Sequence, residues 1–290
     1  MLRCQRLAAL AIAVAGLSQP GVADSPNQRQ EANHPASILA GNSGGSEFLS
    51  TTQGLAGPVR EQAIRNALLM GHFPDSLLDF EPVELANQHH KITIFVSPDY
   101  LGIGTEDDFV RMPMSLDTAR IIAQYYDCIL PTVTMVDAIY QQADRHIEAH
   151  YLPPGRQMTS NDYYAQHNQW INDQLFAPIV ADRLVAGHKK DLVLTQRLMQ
   201  RPDRVAIYGW PRLRDRSPTQ PLSLWHGRPY VDYSHGTRLV SRYAVVDGKT
   251  QDLYQVMQDP ELAPLLSSEG PLNLARLMNA TPSWGYVTGH

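Results

Sequence analysis

Cysteine is nearly absent from these 290 residues, which hold only Cys4 and Cys128. Cys4 lies in a segment that reads as removable, so no internal disulfide is expected and Cys128 stands as a lone thiol. A positive charge surplus is lacking too. The 24 Lys and Arg face 29 Asp and Glu, for a net charge of −5. That balance argues against a nucleic-acid binder, which needs a concentrated basic face. The one basic cluster, Arg212, Arg214 and Arg216, is diluted by Asp215 and flanked by prolines, and reads as a solvated loop. Long apolar runs are missing after the first, Leu7 to Leu17, because later ones are short and broken by charge. A run of that length covers roughly 16 Å as a helix, about half a bilayer core, so no permanent membrane span is expected. No cofactor is expected either.

What is present begins with an export pattern. Arg3 and Arg6 precede the apolar run, Ser18 to Gly21 break it, and Gly21-Val22-Ala23 offers a small-residue cleavage site. These are the parts of a secretory signal peptide, which places the mature chain in the periplasm or outside the cell. Residues 24–54 are rich in Ser, Asn, Gln and Gly and poor in large apolar side chains. They read as a flexible leader, because too little surface can be buried to offset the ordering entropy. Residues 55–290 then form one globular domain. A hydrophobic fraction of 43% is ample for a packed core at this length.

Periodicity organises that domain. Val59, Ala63, Ile64, Ala67 and Leu68 share a helical face that Gly71 ends. Lys91 to Val96 is β-rich, and Phe109 to Met112 is a second short strand. Ser115 caps a helix bearing Leu116, Ala119, Ile122 and Tyr126, and another helix follows Pro131-Thr132. Ser160 to Leu175 reads as a polar helix carrying aromatics. Strands are expected near Leu192–Leu194, Val205–Tyr208, Tyr230–Tyr233 and Leu239–Val246, with a last helix near Gln251–Met257. Helices first and strands later, without βαβ alternation, predict an α+β fold: N-terminal helices packed on a mostly antiparallel sheet from the second half.

Two segments carry candidate chemistry. Cys128 sits just ahead of a helix, where free amides and the helix dipole favour thiolate. The stretch from His226 to Leu239 (His-Gly-Arg-Pro-Tyr-Val-Asp-Tyr-Ser-His-Gly-Thr-Arg-Leu) is the densest polar cluster in the chain. There Asp232 and Ser234 could equally satisfy local amides in a hydrogen-bonded turn. A third segment, Gly187-His188-Lys189-Lys190-Asp191, places a histidine beside two lysines that favour a carboxylate-bearing ligand.

Asp127-Cys128, Met135 to Tyr140, Lys190-Asp191-Leu192-Val193 and Val205 to Tyr208 resemble, in patches, the NlpC/P60 branch of papain-like cysteine hydrolases, which cleave peptides of the bacterial cell wall. The match departs where Arg204 occupies the place of the family's histidine and Ile129-Leu130 replaces Ser-Gly. Ser234 to Leu239 is similar to the end of the L,D-transpeptidase motif, with Thr237 in place of its cysteine. Ile92–Tyr100, Asp108–Met114, the Gly-His-Lys-Lys-Asp segment, Val205–Trp210 and Val231–Val240 together resemble a family of exported bacterial proteins with no assigned activity.

Three readings follow. The first is a thiol hydrolase of envelope amide bonds, with Cys128 as nucleophile, His235 as base, Asp232 orienting it and His188 as substitute base. His226, Tyr233, Ser234 and Arg238 would then bind substrate. The second is a non-catalytic module that binds envelope peptide or glycan through residues 226–238, with Cys128 merely buried. The third is a metal-dependent hydrolase on His226, Asp232 and His235.

Overall fold

The structure is a computed structural model that describes residues 43–175 and 183–279. The signal segment and the leader up to residue 42 lie outside the described residues. The end of the leader does not behave as expected, because Gly45–Thr51 is a helix (α1) that buries Phe48 and Leu49. Two adjacent large apolar side chains suffice to dock this helix of about two turns, so the packed region begins before residue 55.

The helix α2, Gly57–Leu69, buries Ile64, Ala67 and Leu68 and stops at Gly71, whose φ of +76° suits glycine. Next come the strands β1 (Glu81–Ala86), β2 (Lys91–Val96), β3 (Gly102–Gly104) and β4 (Phe109–Arg111). In β2, Ile92, Ile94 and Val96 are buried while Lys91, Thr93 and Phe95 are not, as the two-residue period of a strand requires. Helix α3, Leu116–Tyr125, is capped by Ser115, whose side chain accepts from the Thr118 amide. It leads to β5 (Cys128–Ile129) and to α4 (Val133–Gln142), capped in the same way by Thr132. Then follow β6 (Arg145–His146), α5 (Asn161–Leu175), β7 (Val185–Ala186), β8 (Lys190–Leu192), β9 (Ile207–Pro211) and β10 (Pro218–Ser223). The last strands are β11 (His235–Gly236), β12 (Val240–Ser241), β13 (Tyr243–Val246) and β14 (Lys249–Asp252), and short helices close the described chain.

The expected α+β class with mainly antiparallel pairing is what forms. Its largest sheet runs β14-β13-β2-β12-β5, with β1 on the other side of β2, so it draws on both halves of the chain. A second sheet runs β10-β9-β8-β11, where β11 lies parallel to β8 and pairs His235 with Lys190 and Gly236 with Asp191. Helix α4 packs against both β1 and β9, and one continuous apolar cluster joins the two sheets. Gly236 is required where β11 meets β8: a Cβ there would lie 2.6 Å from the Tyr100 ring and 2.7 Å from Lys189 Cβ. No helix among the described residues is long and apolar enough to cross a membrane.

Candidate functional site

The expected nucleophile is elsewhere. Cys128 lies in β5, paired with Ser241 in the six-stranded sheet, and is only 2% exposed. Its thiol donates to the Tyr126 carbonyl at 3.3 Å, and burial, reinforced by Asp127, pushes its pKa far above the usual thiol range. The helix that was to activate it starts only at Val133, and Thr132 already caps the amide of Met135. Cys128 is therefore a core residue, with neither a thiolate-stabilising helix end nor a histidine partner among the described residues.

The expected strand at Tyr230–Tyr233 is a turn. Asp232 Oδ1 accepts from the Ser234 amide at 2.8 Å and from its hydroxyl at 2.5 Å, while the His235 amide returns to the Asp232 carbonyl. Asp232 Oδ2 accepts from the Tyr230 hydroxyl at 3.0 Å. His226 stacks on Tyr230 with ring centroids 3.9 Å apart, and Tyr230 meets the His235 ring edge-on. The pairing of β11 with β8 sets Lys190 beside His235, and the Lys190 ammonium lies 4.8 Å from the Trp210 ring centre. His226, Tyr230 and Lys190 are half-buried, and Trp225 beside them is exposed.

Ser234, Asp232 and His235 do not form a nucleophilic relay. The hydroxyl is held by the carboxylate, and His235 Nε2 is 3.9 Å from Asp232 Oδ2, beyond hydrogen-bond reach. Burial holds the His235 imidazole down at about 4, against the pull of Asp232, so it is neutral at pH 7. Burial alone would raise Asp232, but His235, Lys190 and the Ser234 donors outweigh it and bring the carboxyl to about 2. The metal reading is also corrected. No group of three or more His, Cys, Asp or Glu side chains among the described residues is placed to hold a metal ion, and His226 stacks on a tyrosine instead.

Behind this turn lies a buried polar layer that sequence reasoning mostly missed. Arg111, at the end of β4, donates twice to Asp99 Oδ2 (2.8 and 2.6 Å) and also to Asn168 and Asn172 on α5. Asp99 Oδ1 pairs with His188 Nε2 at 2.9 Å. Burial would raise the Asp99 carboxyl, but Arg111 and His188 hold it far below the usual range. His188 is therefore a structural partner of Asp99, set by burial at about 4, and not a spare base. Arg238, expected to touch substrate, is fully buried; it donates to the Ser97 and Val185 carbonyls and covers the Tyr100 ring. Tyr100 in turn donates to Asp191 at 2.8 Å. Tyr233 and Ser234 are buried as well, the Tyr233 hydroxyl accepting from the Leu152 amide.

Between the turn and this layer lie Lys189 and His167. Lys189 is wholly buried and donates to the Tyr233 carbonyl at 2.7 Å; burial, with Arg111 adding to it, lowers its pKa to about 7. His167 meets Tyr233 edge-on at 5.0 Å and is kept neutral by burial and by nearby Lys189. Both nitrogens of His167 and both of His235 are buried without a hydrogen-bond partner among the described residues, as is Trp210 Nε1. The signal for His167 was present in α5, where Asn161, Tyr164, His167, Asn168 and Ile171 form an inward stripe at helical spacing. The sequence marked this helix as polar and aromatic-bearing without singling out His167.

Compared with known proteins, the chain matches no family model, no curated protein and no solved structure.

Proposed function

We propose that this protein is exported and works as a binding module of the cell envelope, holding a peptide or glycan where the half-buried His226, Tyr230 and Lys190 give onto Asp232 and His235. One observation carries this reading: the exposed Trp225 beside the half-buried His226–Tyr230 stack and Lys190, a flat aromatic face with a cation at its edge. Flat rings of this kind suit sugar faces or peptide planes. Behind that face the buried nitrogens of His235 and His167 have no partner among the described residues, at a cost of about 1–3 kcal/mol for each unpaired group, which marks the region as shaped for something other than stability. The export half of the proposal rests on the basic and apolar pattern of residues 1–23.

Isolated peptidoglycan sacculi and soluble disaccharide-peptide fragments test it. Binding is expected, and Trp225→Ala, which removes the exposed ring, should weaken it by at least about tenfold. Absence of binding by the intact protein ends the proposal.

A further inference from the structure

A crevice of about 200 Å³ lies between the start of α2 and the turn at Pro229–Val231. It is smaller than the roughly 300–1,000 Å³ of pockets for drug-sized ligands, so it admits one small residue and not an extended chain. Arg60, Glu61, Gly57, Ser115 and Tyr230 contribute to its walls. Tyr230 also donates to Asp232, so the crevice adjoins the site proposed above.

Its walls offer donors and an acceptor in a fixed arrangement. Arg60 is 7% exposed, donates through Nη1 to the Thr159 carbonyl at 2.5 Å, and lies over the Tyr164 ring at 5.0 Å. Its Nε and Nη2 have no hydrogen-bond partner among the described residues and are left for another acceptor. No side chain caps α2, and Pro58 follows Gly57, so the Gly57 amide has no intrahelical partner, and Gly57 lines the same space. One residue along, Glu61 directs Oε2 to three donors: the Ser115 amide, the Ser115 hydroxyl and the Thr118 hydroxyl. Its Oε1 accepts no hydrogen bond among the described residues and stands open as an acceptor. The Tyr164 hydroxyl, fully buried and unpartnered among the described residues, lies in the field of Arg60, Glu61, Asp232 and Tyr230.

We infer that this crevice is the subsite for the C-terminal residue of a peptide, with its carboxylate on the Arg60 fork and the Gly57 amide, and its own amide N–H on Glu61 Oε1. A carboxylate matches a guanidinium held beside a tyrosine ring better than any neutral sugar hydroxyl does. The adjoining acceptor matches the N–H that a peptide carries next to its terminal carboxylate. This deepens the envelope-binding reading and rests on it for the rest of the ligand, since it selects peptide over glycan.

The test uses the full chain in calorimetric titrations with alanyl-alanine in both L,L and D,D forms and with the same dipeptides amidated at the C-terminus. At least one free-acid dipeptide should bind about tenfold or more tighter than its amide. Arg60→Gln should erase that difference. Amidation alters only the ligand, so it holds even if Arg60→Gln fails to fold. Equal affinity for acid and amide, or no dipeptide binding, overturns the inference. If sacculi bind and lose affinity in Trp225→Ala while acid and amide are equal, only the subsite falls. If the dipeptide discrimination holds while sacculi do not bind, the broader reading falls and the subsite stands.

Discussion

Cys128 in the six-stranded sheet and His235 in the four-stranded sheet are buried almost equally, 2% and 0% exposed, yet burial serves opposite ends in the two places. Cys128 belongs to the same apolar cluster as Ile129, Leu130, Val240 and Tyr126, and burial there removes a thiol from chemistry. Around His235 the neighbours are Asp232, Lys190, Tyr230 and, one layer back, the Asp99–Arg111–His188 group. There burial keeps an imidazole neutral and its nitrogens unpaired. A sheet filled by aliphatic side chains gains about 1.5–3 kcal/mol from each one it fully buries, whereas a polar layer holds only if its charges are matched. Chemistry is therefore to be sought where burial is costly.

The contrast predicts its own mutational ranking. The largest effect should come from Arg111→Leu, which strips Asp99 of its guanidinium and leaves a buried carboxylate; about 3–5 kcal/mol of stability should be lost in urea unfolding. A loss under about 1 kcal/mol would mean that the polar layer is slack and does not set the geometry of the site. In the apolar sheet, Cys128→Ala should cost only about 1 kcal/mol, since one sulfur is removed, and should leave ligand binding intact. Native Cys128 should alkylate slowly until the protein is unfolded. Fast alkylation at neutral pH would restore it as a reactive group and break the comparison.

The smallest effect at neutral pH is electrostatic and emerges only in acid. Unfolded, His188 and His235 take up protons near 6.5; folded, both wait until about 4. Their contribution to stability is whole above pH 6.5 and falls as the pH drops through that window. Asp191, raised by burial to about 7 from 3.8, works the other way, because the folded chain holds its proton more tightly over much of the same range. Two histidines against one aspartate leave a net loss of stability from pH 6.5 down to about 4. Imidazole NMR titration should show both rings untitrated at pH 5.5 while the surface His90, raised by its bond to Asp247, is charged. Ordinary titration of His235 near 6.5 would place it in water and undo the contrast.

Much of the fold could be read locally. The alternation of Lys91–Val96, the Ser115 cap and the Gly71 stop depend on neighbours within a few residues, and each recurs in the structure. Strands β1 and β10 escaped because Pro82, Pro218 and Pro221 argue against a strand; as edge strands, they tolerate proline without losing a ladder on both sides. Tyr230–Tyr233 misled for the opposite reason: its residues favour strand, but the Asp232 carboxylate draws the next amides into a turn. In the site, His226, Asp232 and His235 stood out as a polar knot, and the Lys189-Lys190 pair beside His188 was visible as well.

The sequence by itself determined which residues were unusual: a lone cysteine, a polar stretch at 226–238, and a histidine followed by two lysines. Which of them meet was decided only by the tertiary structure. His188 finds Asp99 from 89 positions away, and Lys190 reaches His235 only because β8 and β11 run parallel. Cys128 is carried off to a different sheet by its pairing with Ser241. Spacing along a chain encodes helix faces and strand alternation, since those repeat every few residues. Contacts between distant strands follow from how sheets close around a core, and no local pattern records that.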